Sequence, residues 1–113
     1  MAQDSESSFA EKKCKPCEGG ARPMDISRIE RNLQKVNGWS HAGEGIAKTF
    51  NFKNYYETVA FINAVAWIAH REDHHPTIEF GYRTCRVVYK THSINGLTEN
   101  DFICAAKVDA LFR

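Results

Sequence analysis

Five histidines stand in this chain of 113 residues, and four of them fall between His70 and His92. Two are adjacent, in the stretch Asp73-His74-His75-Pro76. Imidazole titrates near pH ~6.5 when unperturbed, so a histidine cluster can move protons at neutral pH or ligate a metal. His70 and His74 are four apart, a spacing that sets two metal ligands on one helix face. Three features oppose that use. The residue after His70, where the H-E-x-x-H pattern carries its glutamate, is Arg71, and Glu72 is one step out of phase. A cation beside the site disfavours a divalent ion. Pro76 also ends the helix too soon for the pair to keep its geometry. The residues therefore favour acid/base chemistry with no metal and no cofactor, and a His-ligated metal-binding protein or unrelated surface or capping histidines stay the alternatives.

The elements that must position these groups follow from local patterns. Asn54 to Arg71 is expected to be a long helix, with Asn54 as N-cap and Glu57 completing a capping-box-like pair. Tyr55, Val59, Ile62, Ala66 and Ala69 form one apolar stripe, expected to face the core. Phe61, Val65 and Ile68 form a second, expected to meet another helix or another subunit. After Pro76, Thr77 to Arg83 and Cys85 to Thr91 alternate as strands, and a hairpin between them returns His92 to His74 and His75. His92 to Leu97 is a loop with Asn95-Gly96 turn chemistry. Thr98 caps a last helix from Glu99 to about Phe112, with Asp101 at its third position.

Upstream, Asp25 to Val36 is a helix capped by Asp25, with Ile26, Ile29, Leu33 and Val36 on one face and Gly38 supplying its terminal turn. Trp39 to Ala42 and Ile46 to Phe52 then make a hairpin across Gly43-Glu44-Gly45, with Phe50 and Phe52 inward. The order is helix, two strands, helix, two strands, helix. It predicts an α+β domain with one antiparallel sheet and helices on one face.

Composition bounds the rest. A 42% hydrophobic content suffices for one small core, and a net charge of +1 gives no electrostatic case for nucleic acid. No apolar run reaches the roughly 18 residues of a membrane span, and the N-terminus lacks a secretory pattern, so a cytoplasmic location with reduced thiols is expected. Residues 1–23 form a polar, flexible arm ahead of a single domain at 24–113. Cys14 and Cys17 in that arm have C-x-x-C spacing, which suits zinc or thiol exchange. Cys85 and Cys104 offer no second such pair.

The pattern His70-x3-His74-His75-Pro76-x5-Tyr82-x9-His92-x8-Asp101, held over 32 residues, resembles the signature of the pterin-4a-carbinolamine dehydratases. The arm Cys14-Lys15-Pro16-Cys17-Glu18-Gly19-Gly20 and the segment from Thr91 to Asp101 are similar to bacterial members, so the likeness runs from about Cys14 to Arg113. His70 is a departure, since many members carry glutamate there. The resemblance implies a four-stranded antiparallel sheet with helices on one face, assembled into a homodimer or homotetramer. It implies a hydro-lyase that dehydrates 4a-hydroxytetrahydropterin to quinonoid dihydropterin, recycling tetrahydrobiopterin for an aromatic amino-acid hydroxylase.

By position, His74 and His92 would be acid and base, with His75 chiefly holding the pterin. Pro76, Thr91, Ser93 and Ile94 would line the ring, and His70, Asp73 and Asp101 would support the imidazoles. Asp101 has an equal claim as capping acid of the last helix, and Tyr82 is expected in the core or the pocket wall. Relatives in animals also serve as dimerisation partners of a homeodomain transcription factor, and others act in assembly, so a non-catalytic partner role is the alternative function.

Overall fold

A four-stranded antiparallel sheet carries the histidine segments at one end. The computed structural model describes residues 9–16 and 22–113. In chain order the elements are α1 (Ile26–Leu33), β1 (Ser40–Ala42), β2 (Gly45–Asn51), α2 (Tyr55–Glu72), β3 (Thr77–Phe80), β4 (Thr84–Tyr89), a 3-10 turn (His92–Ile94) and α3 (Glu99–Ala110). A helical turn at 9–11 precedes them. The strands run β1-β2-β4-β3, each antiparallel to its neighbour. The α+β class, the element order and the single sheet agree with the sequence reading.

Strand β4 lies inside the sheet, and its pleat decides which face is dry. Cys85, Val87 and Tyr89 are buried, and register sets them opposite Phe50, Lys48 and Ile46 of β2. The helices cover that face. Phe61 of α2 packs on Phe50 at 4.6 Å between ring centroids, and Phe102, Ile103, Ala106 and Val108 of α3 complete the core. Lys48 also points to this side, where its ammonium donates to the Asn37 carbonyl and to Asp109.

The helix starts obey their caps. Asp25 accepts from the Arg28 N–H, Asn54 from the Glu57 N–H, and Thr98 and Asp101 make a reciprocal capping box. Glu57 reaches back to the Lys53 N–H, one residue ahead of the cap. Gly38, at φ +85°, makes the left-handed turn after α1.

Three expectations need correction. The stripes of α2 are exchanged: Thr58, Phe61 and Val65 are the buried residues, whereas Tyr55 and Ala66 are exposed and Val59 and Ile62 only half-buried. Both stripes are apolar, so periodicity cannot rank them. Phe61 offers more area to bury, and the Thr58 hydroxyl is satisfied by the Asn54 and Tyr82 carbonyls, which lets a polar residue share the buried face. Tyr82 is neither core nor cleft wall. It is 62% exposed beyond the end of β3 and stacks on Tyr55. Finally, α1 ends at Leu33, so Val36 enters the core from a turn while Ile26 is 58% exposed.

Candidate active site

Two backbone constraints at the end of α2 separate the adjacent histidines. Asp73 adopts the left-handed conformation (φ 53°), its N–H and that of His74 both returning to the Ala69 carbonyl. Pro76 then favours extended backbone at His75 and admits β3. The two imidazoles leave this corner toward different partners.

The His74 ring turns inward. It lies parallel to the Tyr89 ring (centroids 5.9 Å, planes 7° apart), and its side chain is 12% exposed. Its Nε2 sits 2.7 Å from Asp101 Oδ1. Asp101 is completely buried in the first turn of α3. Its second oxygen accepts from the Thr98 N–H at 3.0 Å and from the Thr91 hydroxyl at 2.8 Å. Capping and imidazole support, which the sequence left as alternatives, thus share one carboxylate with an oxygen for each. An ionised carboxylate can only accept, so this geometry directs a proton on His74 Nε2 at Asp101; in the neutral ring that tautomer leaves Nδ1 with its lone pair.

The His75 and His92 rings lie against one another (centroids 5.5 Å, planes 23° apart). His92 opens the 3-10 turn that follows Thr91. That turn is closed by Asn95 in the left-handed region and by a bridge between Thr91 and Gly96. The hairpin therefore returns His92 to the His74-His75 corner, as its spacing suggested. A cleft of about 310 Å³ is lined by Asp73, His74, His75, Thr91, His92 and Ser93. Pro76 and Ile94 are half-buried nearby and are not among its lining residues. His70 is not brought into the site: it is exposed on α2, with its ring 5.3 Å from that of Trp67.

The remaining wall comes from residues that pattern-reading missed: Lys15, Pro16 and Asn100. Asn100 clamps the arm, accepting from the Lys15 N–H at 3.0 Å and donating to the Lys15 carbonyl at 2.6 Å. Glu72 holds the preceding residue by accepting the Cys14 N–H at 2.8 Å. Burial of Glu72 disfavours its charge. The Cys14 N–H and the ammonium groups of Lys107 and Lys13 outweigh that and hold its pKa below the ordinary glutamate value. Further back, Phe9 stacks on Phe102 and Lys12 pairs with Glu99. The repeated asparagine–backbone pairing is a long-range contact with no local periodicity, so only the proximity of Asn100 to the His92 loop in sequence could have hinted at it.

Beneath His74, the Tyr89 hydroxyl is buried and has no hydrogen-bond partner among the described residues. Burial, reinforced by the neighbouring Cys104, Cys14 and Asp101, pushes its pKa far up and keeps it protonated. Among the described residues no three His, Cys, Asp or Glu side chains are disposed to hold a metal ion. Cys17 of the C-x-x-C pair lies outside the described residues. What the arrangement can do is move protons, through one imidazole held by a buried carboxylate and two more open to solvent.

Comparison with known proteins gives a consistent picture. The family model described as pterin 4 alpha carbinolamine dehydratase matches residues 22–111. A relative named for this dehydratase from Nitrosospira multiformis is 58% identical over 105 residues, 93% of each chain. One from Nitrosomonas europaea is 58% identical over 106 residues, 93% of this chain and 94% of its own. Among solved structures, a transcriptional coactivator/pterin dehydratase from Brucella melitensis superposes with TM-score 0.76 at 32% identity, covering 80% of this chain and 98% of its own. A pterin dehydratase-like protein described as a RuBisCO assembly factor in the alpha-carboxysome superposes with TM-score 0.55 at 30% identity, covering 65% and 84%.

Proposed function

Since the chain belongs to the pterin 4 alpha carbinolamine dehydratase family, we propose that it is a working hydro-lyase whose histidine cleft dehydrates a 4a-hydroxytetrahydropterin to the quinonoid dihydropterin. The observation that carries this reading is the carboxylate-held imidazole of His74, set in one cleft with His75 and His92. In a carbinolamine the N5 lone pair expels the 4a-hydroxyl once an acid protonates it, while a base takes the N5 proton. Water leaves, and the ring is neither oxidised nor reduced. The reaction asks for two proton carriers active near neutral pH, a task that imidazoles perform without a metal or nucleophile.

Within that scheme His74 and His92 share the proton work, the held His74 serving as base and the open His92 as acid, and His75 chiefly binds. Asp101 acts through His74, fixing its tautomer and ring plane, and Tyr89 supplies the flat surface behind it. Thr91 and Ser93, with Lys15 and Pro16 of the arm, line the cleft in which the pterin would lie. The test is steady-state kinetics with carbinolamine generated by an aromatic amino-acid hydroxylase, following the decay of its absorbance. His74→Ala and His92→Ala should each lower kcat by about 10- to 10³-fold, and His75→Ala should mainly raise KM. An undiminished kcat in the folded His74/His92 double variant would reject the assignment.

The same reading includes a homodimer or homotetramer. Its support is the aromatic surface that one chain leaves wet: Phe80 and Tyr82, each with its ring against Tyr55, and Trp67 on the outer side of α2. A cytoplasmic setting fits the free thiols of Cys14, Cys85 and Cys104, and no described helix is long and apolar enough to cross a membrane.

A further inference from the structure

Cys14 and Cys104 are 90 positions apart in the chain, yet their sulfur atoms are 3.5 Å apart. Cys14 is half-buried in the arm, and Cys104 is completely buried on α3. The proposed dehydration uses neither thiol. Their place in the fold is what gives them consequence. The two residues after Cys14 are Lys15 and Pro16, one wall of the cleft. Cys14 also approaches the carbonyl of Asn100, the residue whose side chain clamps Lys15. Hydrogen bonds hold the arm here, whereas Cys104 is fixed in the helix core.

We propose that Cys14 and Cys104 are a reactive thiol pair that a hydroperoxide oxidises to a disulfide, tying the arm, and with it the Lys15–Pro16 wall, covalently to α3. The Cys14 thiolate attacks the outer peroxide oxygen; an S–O bond forms, the O–O bond breaks, and the alcohol or water leaves with a proton. The sulfur is oxidised by two electrons and the peroxide is reduced by two. Cys104 then attacks the resulting sulfenic acid, the S–S bond forms, and the hydroxyl departs as water with the Cys104 proton. Cys14 is the sulfur that meets the oxidant, because it is the more exposed. The hydrogen bond with Cys14 and burial push the Cys104 thiol far up, which argues against its initiating; its place 3.5 Å from Cys14 Sγ is what sets it to meet the sulfenic acid, giving up its proton to the departing hydroxyl as it attacks. The sulfurs must close to about 2.05 Å, a movement the arm can make without repacking α3.

The covalent step stands apart from the dehydratase reading, while its effect on turnover rests on that reading. Reduced full-length protein is treated with hydrogen peroxide, alkylated, weighed intact and mapped by peptides. The expected product has lost two hydrogens and links Cys14 to Cys104, in wild type and in Cys17→Ser alike. Cys104→Ala should instead carry added oxygen on Cys14. Trypsin cleavage after Lys12 and Lys13 should slow on the order of tenfold in the oxidised protein, because local opening of the arm is suppressed. KM for the pterin should shift and return on reduction. A Cys14–Cys17 link, or oxygen added to Cys14 in wild type with Cys104 still free, overturns the proposal. So does a Cys14–Cys104 link that changes neither cleavage nor KM. Absence of turnover in both redox states would defeat the dehydratase reading, while the link and the cleavage rates would still decide this one.

Discussion

Asp101→Asn is the sharpest probe of the site, because the buried carboxylate has three donors aimed at it and asparagine cannot accept from all of them. The Thr98 backbone N–H cannot reorient, so the asparagine oxygen is expected to stay on that side, with the Thr91 hydroxyl. The amide NH2 is then directed at His74 Nε2, which must give up its proton and accept. His74 changes tautomer, and Nδ1 arrives in the cleft already protonated and useless as a base. The stability cost is modest: each of the three bonds to a charged acceptor, worth about 1.5–3 kcal/mol, is exchanged for a neutral one worth about 0.5–1.5, and the relief of no longer burying a charge offsets much of that sum, for a net loss of about 1–2 kcal/mol. The catalytic cost is larger. In the serine-protease triad a comparable exchange costs about 10⁴ in kcat; on the proposed scheme a second imidazole shares the proton work, so about 10²-fold is expected. Stopped-flow decay of the carbinolamine gives the rate, urea unfolding gives the stability, and ¹⁵N shifts of the imidazoles give the tautomer. An Asp101→Asn variant that keeps wild-type kcat, or whose His74 keeps its proton on Nε2, would refute the claim that the carboxylate selects the working tautomer.

Further outcomes follow from neighbouring features. Asp73→Gly should raise stability by about 0.5–1 kcal/mol in urea unfolding, since a non-glycine residue at φ 53° is strained, and Asp73→Val should lower it by more. Val65→Ala should cost about 1–3 kcal/mol because Val65 is fully buried, whereas Ala66→Ser should be nearly neutral in an isolated chain; equal effects would contradict the observed stripe. Arm docking should be pH-dependent through Glu72. Its folded pKa lies below the usual 4.5, so its contribution is present above that value and is lost as pH falls through the folded pKa. Trypsin is unsuited to acid, so pepsin cleavage near Phe9 reports it; cleavage should rise at low pH in wild type and be high already at pH 5 in Glu72→Gln, assayed by hydrogen exchange where pepsin is too slow.

The sequence signals that proved reliable were those whose cause is local. Asp25, Asn54 and Thr98 satisfy backbone N–H groups within a turn of themselves, and their side-chain bonds are present. Pro76 acts on its immediate neighbour. The α2 stripes failed because Tyr55 to Ala69 and Phe61 to Ile68 are both apolar, and only the sheet beneath decides between them. Tyr82 failed for a related reason: its place in an alternating run suggested burial, but β3 stops at Phe80 and the following turn leaves the ring against Tyr55. The Lys15–Asn100 wall spans 85 positions, a separation at which no periodicity operates.

The division between His74 and His75 rests on one backbone corner. A left-handed residue at 73 and a proline at 76 send consecutive side chains to opposite environments. His74 gains a buried acceptor and loses most of its water, which strengthens that hydrogen bond and fixes one ring nitrogen. His75 and His92 keep theirs, and solvated imidazoles can exchange protons with bulk water between turnovers. On the proposed reading the reaction needs both kinds of group. A held imidazole gives the substrate a base of defined direction, and an open one can deliver a proton to a leaving hydroxyl and let the water escape. Two exposed histidines would lack the orientation, and two buried ones would lack the exchange. Adjacent histidines before a proline, with an acid at the third position of a following helix, are therefore informative as a set, because the corner separates their environments and, on the proposed reading, their work with them.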